Sequence, residues 1–193
     1  MPLDLSISPL TPDMHNVYRD FFLNRAKAAC LCIHFHWNDR LEAKFHRSGK
    51  GGDEHIDEFV KTGVIRGYFA YINGEPVGWC NANDKRKYDE LRCGVLSDGR
   101  TELWDDADID IKVKSAVCFL VLPEARGQGV ATALLNRVIT DAAAEGYACV
   151  EGYPLIAGGD DYANHHGPLR MFENAGFTEY KRFKHDCIMR KYL

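Results

Sequence analysis

The sequence predicts one α/β domain, in which helices pack against a β-sheet, and three observations support this fold class. Residues 113–146 have the pattern of a strand, a glycine-rich turn and a helix. Asn73-Gly74 joins two apolar segments, and this pair suits the positive φ angles of a β-hairpin turn. Residues 176–192 have the pattern of a second hairpin. Because 193 residues suit a single domain with a substantial core, we expect the domain to span residues 1–193.

Composition and charge argue against several classes of function. The chain is 46% apolar and 27% charged, which is typical of a soluble protein, and no apolar run approaches the length of a membrane span. A formal net charge of −4 provides no general attraction to nucleic acid or to an anionic membrane, so small molecules are the expected partners. Seven cysteines are an odd number, and the first residues lack the features of a signal peptide. We therefore expect a reduced, cytoplasmic protein.

The N-terminal region is predicted to form a strand followed by helices. Apolar residues alternate with polar ones over residues 3–9, which indicates a strand. Thr11 and Pro12 then suit the N-cap and the first position of a helix. Residues 38–46 and 54–62 have the apolar spacing of two further helices. The residues expected on the buried face of the first helix are Val17, Phe21 and Phe22.

The segment 28–37 contains four residues that are good zinc ligands, namely Cys30, Cys32, His34 and His36. In an extended strand their side chains would share one face but spread over about 20 Å, too far to converge on one ion. We therefore expect no metal site. The segment is either the wall of a packed pocket or a core strand or helix.

A hairpin of residues 64–72 and 77–81 follows, and after it comes a segment without clear periodicity, residues 84–111. A charge run of this kind is usually a solvated loop. The alternative is that its carboxylates attract a cationic amine. The acidic residues concerned are Asp105, Asp106, Asp108 and Asp110.

The strand, turn and helix of residues 113–146 contain a candidate anion site. The strand is apolar on both faces and ends before Pro123. In the turn, residues 126–132, side chains are small where the first amides of a helix have no internal partner, and Arg126 adds positive charge. The turn is therefore either a phosphate-binding site or a plain connection that needs two glycines. The apolar stripe of the following helix is Val130, Leu134, Val138 and Ala142, with Leu135 and Ile139 beside it and Gly146 at its end.

The last part of the chain is predicted to form a strand, a helix and a hairpin. The strand, residues 148–154, carries Glu151 inside an apolar run, so this carboxylate is either satisfied by neighbouring donors or perturbed in pKa and useful. A helix is expected over residues 167–175. The final strand is expected to have one solvent-exposed face, because Cys187, Met189 and Lys191 alternate with Ile188, Arg190 and Tyr192.

Two motifs in this region resemble those of a known family. Arg126-x-x-Gly129-x-Ala131 resembles the pyrophosphate-binding signature of the GNAT superfamily of acyl-CoA N-acyltransferases, Gln/Arg-x-x-Gly-x-Gly/Ala. Residues 164–177, NHHGPLRMFENAGF, resemble that family's next helix, which ends in Gly-Phe before a final pair of strands. The resemblance covers residues 64–193 well and the preceding residues loosely.

The resemblance implies a fold and a co-substrate. The fold is a central mixed, mostly antiparallel sheet whose fourth and fifth strands are parallel and splay apart, with helices on both faces. Acetyl-CoA would lie in the gap between these strands, and residues 1–63 would contribute to the acceptor side. The residues implied in binding coenzyme A are Phe119, Leu120, Val121, Arg126, Gly127, Gln128, Gly129, Val130, Ala131, Thr132, Asn164 and Phe172.

The resemblance also implies that acetyl is transferred to a primary amine by direct attack, which needs a base, an oxyanion donor and an acid for the leaving thiolate. Glu151 is the first choice for the base, because a buried carboxylate can have a raised pKa. The oxyanion donor would be a backbone N–H of the fourth strand. Phe172 replaces the family's usual tyrosine acid, so we expect Tyr162 or His166 in that role, among nearby donors that also include Tyr153 and His165. Acceptor-side candidates are Cys32, His34, Trp79 and Tyr153.

The acceptor would be a small-molecule or peptide amine, and family precedent includes homodimers. Two other functions remain as alternatives. The missing tyrosine favours a non-catalytic acyl-CoA-binding module. Gly127-x-Gly129-x-x-Thr132 matches a dinucleotide-binding motif, Gly-x-Gly-x-x-Gly, except that its third glycine is replaced by Thr132. No further strand–helix–strand unit follows it, which argues against this function.

Overall fold

A computed structural model describes residues 4–28, 32–36, 52–88, 110–156 and 163–193, without the side chains of residues 34, 52–54, 163 and 164. Seven strands form one sheet in the order β1-β2-β3-β4-β5-β7-β6. The strands are β1 (Leu5–Pro9), β2 (Gly67–Ile72), β3 (Glu75–Asp84), β4 (Val113–Val121), β5 (Cys149–Gly152), β6 (Thr178–Arg182) and β7 (Cys187–Tyr192). The α-helices of the described residues are α1 (His15–Asp20), α2 (Gly52–Lys61), α3 (Val130–Ala144) and α4 (Leu169–Asn174).

The pairing of the strands confirms the predicted fold class. β4 and β5 are parallel, and the other pairs of neighbouring strands are antiparallel. The hairpin between β2 and β3 turns at Asn73 and Gly74, whose φ angles are 52° and 81°. These angles are the ones that a two-residue turn of this type requires.

The parallel pair β4 and β5 separates halfway along β4. Pairing runs from Val113 opposite Cys149 to Ala116 opposite Gly152, where β5 ends. β4 continues to Val121, and none of the described strands pairs with it on that side beyond Ala116. The two strands therefore splay apart, as the resemblance implies.

A β-bulge lies at the point where the strands separate. On β4, Ala116 and Cys118 lie opposite the adjacent β3 residues Ala82 and Asn81, so Val117 is the extra residue. Because of this bulge, the side chains of Val117 and Cys118 enter the same core. Their neighbours Ala116 and Phe119 belong to the core on the opposite face.

The two faces of the sheet carry separate hydrophobic cores. We call the core beneath α1, α2 and residues 32–35 the front core; it includes Tyr18, Phe22, Ile56, Phe69, Trp79 and Val117. The core beneath α3 and α4 is the back core; it includes Ala116, Phe119, Val130, Leu134, Val138 and Phe172. Helices therefore cover both faces, and the predicted stripe of α3 is buried apart from the half-buried Ile139.

The first helix differs from the prediction. Thr11 does lie at the N-cap position, but a 3₁₀ turn, Pro12–Met14, precedes α1, and a π-helical segment, Phe21–Arg25, follows it. These segments change the number of residues per turn, so the buried stripe moves. Tyr18 is fully buried, whereas Val17 is only half-buried.

The prediction of a solvent-exposed face on the last strand is wrong. Residues 187–190 of β7 are all buried. β7 lies between β5 and β6, and both of its faces are covered, because Met189 points into the back core and Ile188 into the front core.

Some predictions concern residues outside the described ranges. These are the helix over residues 38–46, the residues Cys30, Asp105, Asp106 and Asp108, and the candidate acid Tyr162. Of the helices that the structure describes, none combines the length and the apolar character needed to cross a lipid bilayer.

Candidate functional site

A cleft of about 260 Å³ opens where β4 ends and where α3 and α4 begin. Seven residues that line it belong to the predicted coenzyme A site: Val121, Arg126, Gly127, Gly129, Val130, Ala131 and Thr132. Ala125, Pro168 and Met171 complete the lining. The sequence analysis missed these three because small and apolar side chains carry no chemical signal of their own.

The cleft has the features of an anion site at its α3 end. Gly127 and Gly129 have φ angles of 73° and 80°, which few residues other than glycine adopt. The first backbone bond of α3 runs from the Ala133 amide to the Gly129 carbonyl at 2.9 Å, and no side chain caps the helix. The amides of residues 130–132 therefore face outward with the positive end of the helix dipole.

Arg126 lies beside these amides and is exposed. Its Nε donates to the Val121 carbonyl at 3.2 Å, which holds the guanidinium near the end of β4. A permanent positive charge at a helix N-terminus strengthens the binding of a phosphate group. This end of the cleft can therefore hold a pyrophosphate.

Three other predicted coenzyme A residues lie nearby but do not line the cleft. Gln128 is exposed and donates to the Glu124 carbonyl at 2.8 Å. Phe119 is buried in the back core, and Leu120 is half-buried. Phe119 and Leu120 do lie on the part of β4 beyond Ala116, about 15 Å long, with which no strand of the described ranges pairs on the β5 side.

Phe172, another predicted coenzyme A residue, is completely buried and is not among the residues that line the cleft. Its ring packs on the last residue of β5: a Cβ placed on Gly152 would lie 2.1 Å from the ring. The ring also meets Phe119, with 6.1 Å between centroids. Phe172 therefore fills the back of the gap between β4 and β5, in the position where the family's tyrosine is expected.

Glu151 is fully buried and is satisfied by neighbouring donors, the first of the two alternatives considered for it. Arg190 donates from Nε to Oε1 at 2.8 Å and also from its terminal nitrogen. Lys85 Nζ lies 2.9 Å from Oε2, and the Tyr153 hydroxyl donates to the same oxygen at 2.9 Å. Both carboxylate oxygens are thus engaged by fixed donors.

Three of the acceptor-side candidates, Cys32, Trp79 and Tyr153, are buried. Trp79 has no exposed surface and packs against Tyr18, at a centroid distance of 5.1 Å, within the front core. Tyr153 is 1% exposed; it bonds Glu151 and lies 2.7 Å from the Ser115 hydroxyl. Burial raises the pKa of the Tyr153 hydroxyl well above its usual range.

Cys32 is also 1% exposed. The Cys118 thiol beside it lowers the pKa of the Cys32 thiol, with smaller contributions from Trp79 and Asn81. Residues 34–36 form a 3₁₀ turn rather than a strand, and the His34 side chain lies outside the described set. Among the residues that the structure describes, no group of three His, Cys, Asp or Glu side chains could hold a metal ion.

His166 is the predicted catalytic residue that the structure brings to the gap between β4 and β5. It belongs to the 3₁₀ turn Ala163–His166 and is half-buried. Its Nδ1 lies 2.9 Å from the Val117 carbonyl, at the bulge. Its ring meets Phe35 of the front core, with 5.8 Å between centroids. Asn164 belongs to the same turn, but its side chain lies outside the described set.

Comparisons with solved structures support the fold. An acetyltransferase of the GNAT family from Streptococcus pneumoniae is 15% identical, with a TM-score of 0.56 over 98% of this chain and 100% of that one. The GNAT domain of S. lividans PAT is 20% identical, with a TM-score of 0.52 over 97% of this chain and 89% of that one. The Salmonella typhimurium protein yncA, whose structure contains its cofactor acetyl-CoA, is 15% identical, with a TM-score of 0.53 and coverages of 98% and 94%.

A chain of the NatC complex, solved with Gag peptide and CoA, is 13% identical, with a TM-score of 0.56 and 98% coverage of both chains. At these identities, similarity of structure establishes the fold alone. No curated protein matches the sequence. The model of the acetyltransferase (GNAT) family matches residues 31–153, which is well over half of the chain and includes β4, the turn and α3. The chain therefore belongs to the acetyltransferase (GNAT) family.

Proposed function

We propose that this protein transfers acetyl from acetyl-CoA to a primary amine by direct attack of the amine on the thioester. The cleft at the start of α3 is the observation that supports the proposal, because it combines outward-facing amides, two left-handed glycines and Arg126 in one place. Acetyl-CoA supplies the activated acetyl group.

The cleft and β4 together suit the two parts of coenzyme A. The amides of residues 130–132 and Arg126 would hold the pyrophosphate. The edge of β4 beyond the bulge, residues 118–121, could pair with the amide-containing pantetheine arm as an added strand does. That edge leads from the cleft back to the bulge at Val117, so the thioester would lie near the bulge, where a backbone N–H of β4 could stabilise the oxyanion.

The acceptor would approach from the front core. α1 and α2, from the first 63 residues, pack over Trp79 and Val117 on that face. The proposal covers both small-molecule and peptide amines, since the NatC structure contains a peptide. For the leaving thiolate, the proton would come from Tyr162, from His166 or from the attacking nitrogen itself. Glu151 has a structural role in this proposal, because its oxygens already accept from Lys85, Arg190 and Tyr153.

The first test is calorimetric titration with acetyl-CoA, CoA and NADH. The Gly129→Trp variant introduces an indole at the mouth of the cleft. A Cβ added to Gly129 meets no atom within 4 Å. Gly74→Trp is the matched control, because Gly74 has nearly the same φ, 81° against 80°, and equally open surroundings, but lies in the hairpin. We expect acetyl-CoA and CoA to bind the wild type and Gly74→Trp, and the affinity of Gly129→Trp to fall at least tenfold.

Failure of acetyl-CoA to bind would reject the proposal, and binding of NADH in the same cleft would favour the dinucleotide alternative. The second test measures CoA release with tyramine, spermidine and a tripeptide amide with an unblocked N-terminus. Turnover with any of these amines supports acetyl transfer. Tight binding of acetyl-CoA without turnover on a broad amine library would instead favour the non-catalytic binding module.

A further inference from the structure

We propose that His166 is the general base of the reaction, with its neutral ring protonated at Nδ1 and accepting the proton of the substrate ammonium at Nε2. The inference rests on the proposed function and deepens it by naming the residue that takes up the proton. It assigns His166 a different role from the acid predicted from the sequence.

The hydrogen bond between His166 and Val117 fixes the tautomer. His166 Nδ1 lies 2.9 Å from the Val117 carbonyl oxygen, and a carbonyl oxygen can only accept a hydrogen bond. Nδ1 must therefore carry the hydrogen. In a neutral imidazole the other nitrogen is then the one that can take up a proton, so Nε2 is the basic atom.

The position of the ring suits this task. Val117 is the bulged residue of β4, directly after Ala116, the last residue paired with β5. His166 is thus bonded to the strand at the point where the gap between β4 and β5 opens. Phe35 meets the ring edge-on from the front core, at 5.8 Å between centroids. The ring is half-buried, so it is fixed in orientation while part of it stays accessible.

Other titratable groups lie near His166. The His165 ring is in contact, with 4.0 Å between centroids. Beyond Phe35 lie Tyr88, at 6.4 Å from the Phe35 ring, and His36, at 4.9 Å from the Tyr88 ring. Cys118 follows the bonded residue on β4 and belongs to the front core. Imidazole is the side chain most often used as a general base in proteins.

Glu151 suits the same task less well. It has no exposed surface, and both of its oxygens accept from charged or hydroxyl donors. A base needs a lone pair that can reach the proton it removes. Taking up a proton at Glu151 would also leave Lys85 and Arg190 without their shared counter-charge.

The proposed reaction balances in atoms and in charge. Nε2 of His166 removes one proton from the ammonium, and the nitrogen lone pair then forms a bond to the thioester carbonyl carbon. The carbon–sulfur bond breaks, and its electron pair leaves with sulfur. The second proton lost by the nitrogen goes to the thiolate, which gives CoA as the thiol. His166 returns its proton to solvent, so each turnover releases one proton.

The first experiment is acceptor-independent. Long-range ¹H–¹⁵N correlation spectra of the histidine-labelled protein, assigned by comparison with His166→Gln, report which ring nitrogen carries the hydrogen in the neutral form. We expect Nδ1–H. A neutral ring protonated at Nε2 would overturn the inference, whatever the result of the activity assays.

The second experiment compares His166→Gln with His185→Gln, an exposed histidine in the loop between β6 and β7. With the most active of the three probe amines, we expect kcat at pH 7 to fall about 100-fold in His166→Gln and to stay unchanged in His185→Gln. The deficit should shrink as pH rises toward 10, because solvent then deprotonates the amine. Affinity for acetyl-CoA should be unaltered in both variants.

These readouts separate the two proposals. Unchanged kcat in His166→Gln, or a deficit that persists at high pH, would overturn the role of His166 without affecting acetyl transfer. Loss of acetyl-CoA binding in the wild type would reject the proposed function itself. In that case Nδ1–H in the spectra would confirm only the local geometry, and the base assignment would fall with the reaction.

Discussion

Glu151 shows how one residue can connect distant parts of the chain. A carboxylate without exposed surface is costly unless it is paired and hydrogen-bonded. Here Lys85 follows β3, Arg190 lies on β7, and both contact the carboxylate on β5. The guanidinium of Arg190 also lies 3.5 Å from the centroid of the Tyr180 ring, on β6. On the front face, the Glu151 side chain therefore connects β5 to the end of β3 and to β7, and through Arg190 to β6.

We predict that Glu151→Gln lowers the free energy of unfolding by about 3–5 kcal/mol, because it leaves two buried cations without their counter-charge. Urea denaturation at pH 7 measures this. Glu179→Gln removes one partner of the exposed ion pair with Arg182, and its effect should lie within experimental error. A similar small loss in both variants would show that the buried network contributes little to stability.

The sequence could predict a carboxylate inside the fifth strand. It could not show whether neighbouring donors satisfy this carboxylate or whether its pKa is perturbed. One of its partners, Arg190, lies 39 residues further along the chain, and the other precedes the segment 89–109. Local periodicity contains no information on such contacts. For the same reason the sequence could propose Trp79 and Tyr153 as acceptor residues but could not show that neighbouring side chains enclose them.

At the scale of elements, α3 is predicted well because its signals are local. The glycine turn, the apolar period of four and Gly146 all lie within its own residues. The first helix is predicted less well, since its 3₁₀ and π segments depend on packing against the sheet. The prediction of an exposed face on β7 failed for a related reason, because periodicity cannot show that a strand lies between two others.

α3 also stabilises an edge of the sheet. Arg137 donates to the Ile7 carbonyl of β1 at 2.9 Å and to Asp141 at 2.8 Å. β1 is an edge strand, and this bond ties its backbone to the helix.

We predict that Arg137→Ala increases amide hydrogen exchange in β1 about tenfold, because a charge-assisted bond to the strand is lost. Arg182→Ala, at the opposite edge of the sheet, is the control and should leave β1 unchanged. The exchange rates of the β1 amides, measured by NMR or mass spectrometry, test this prediction. Equal protection of β1 in Arg137→Ala and the wild type would show that strand pairing alone holds it.

At the scale of the whole molecule, the five described cysteines are buried thiols, of which Cys32 and Cys118 belong to the front core and Cys80 and Cys187 to the back core. Burial, with a smaller effect of the Glu179 carboxylate, raises the pKa of the Cys187 thiol to about 11. The folded protein therefore retains this proton where the unfolded chain has lost it. The associated stability is fully present below pH 9 and is lost as pH rises to about 11.

We predict that the free energy of unfolding falls between pH 9 and 11, and that Cys187→Ala makes this fall smaller by about 1–2 kcal/mol. Cys80, whose pKa burial also raises, acts in the same direction, so the fall is reduced and not abolished. Urea denaturation at several pH values provides the measurement. An identical pH dependence in the variant and the wild type would contradict the assignment.

The arrangement of β7 between β5 and β6 also determines the order in which the protein can assemble during synthesis. β4, the turn of residues 126–132 and α3 are all synthesised before β5. Glu151 of β5 contacts Arg190 only when β7 has been added. Until then a negative charge in the centre of the sheet has one of its cations missing. The ribosome therefore releases β4, α3 and β5 before the strand that supplies the second cation of Glu151.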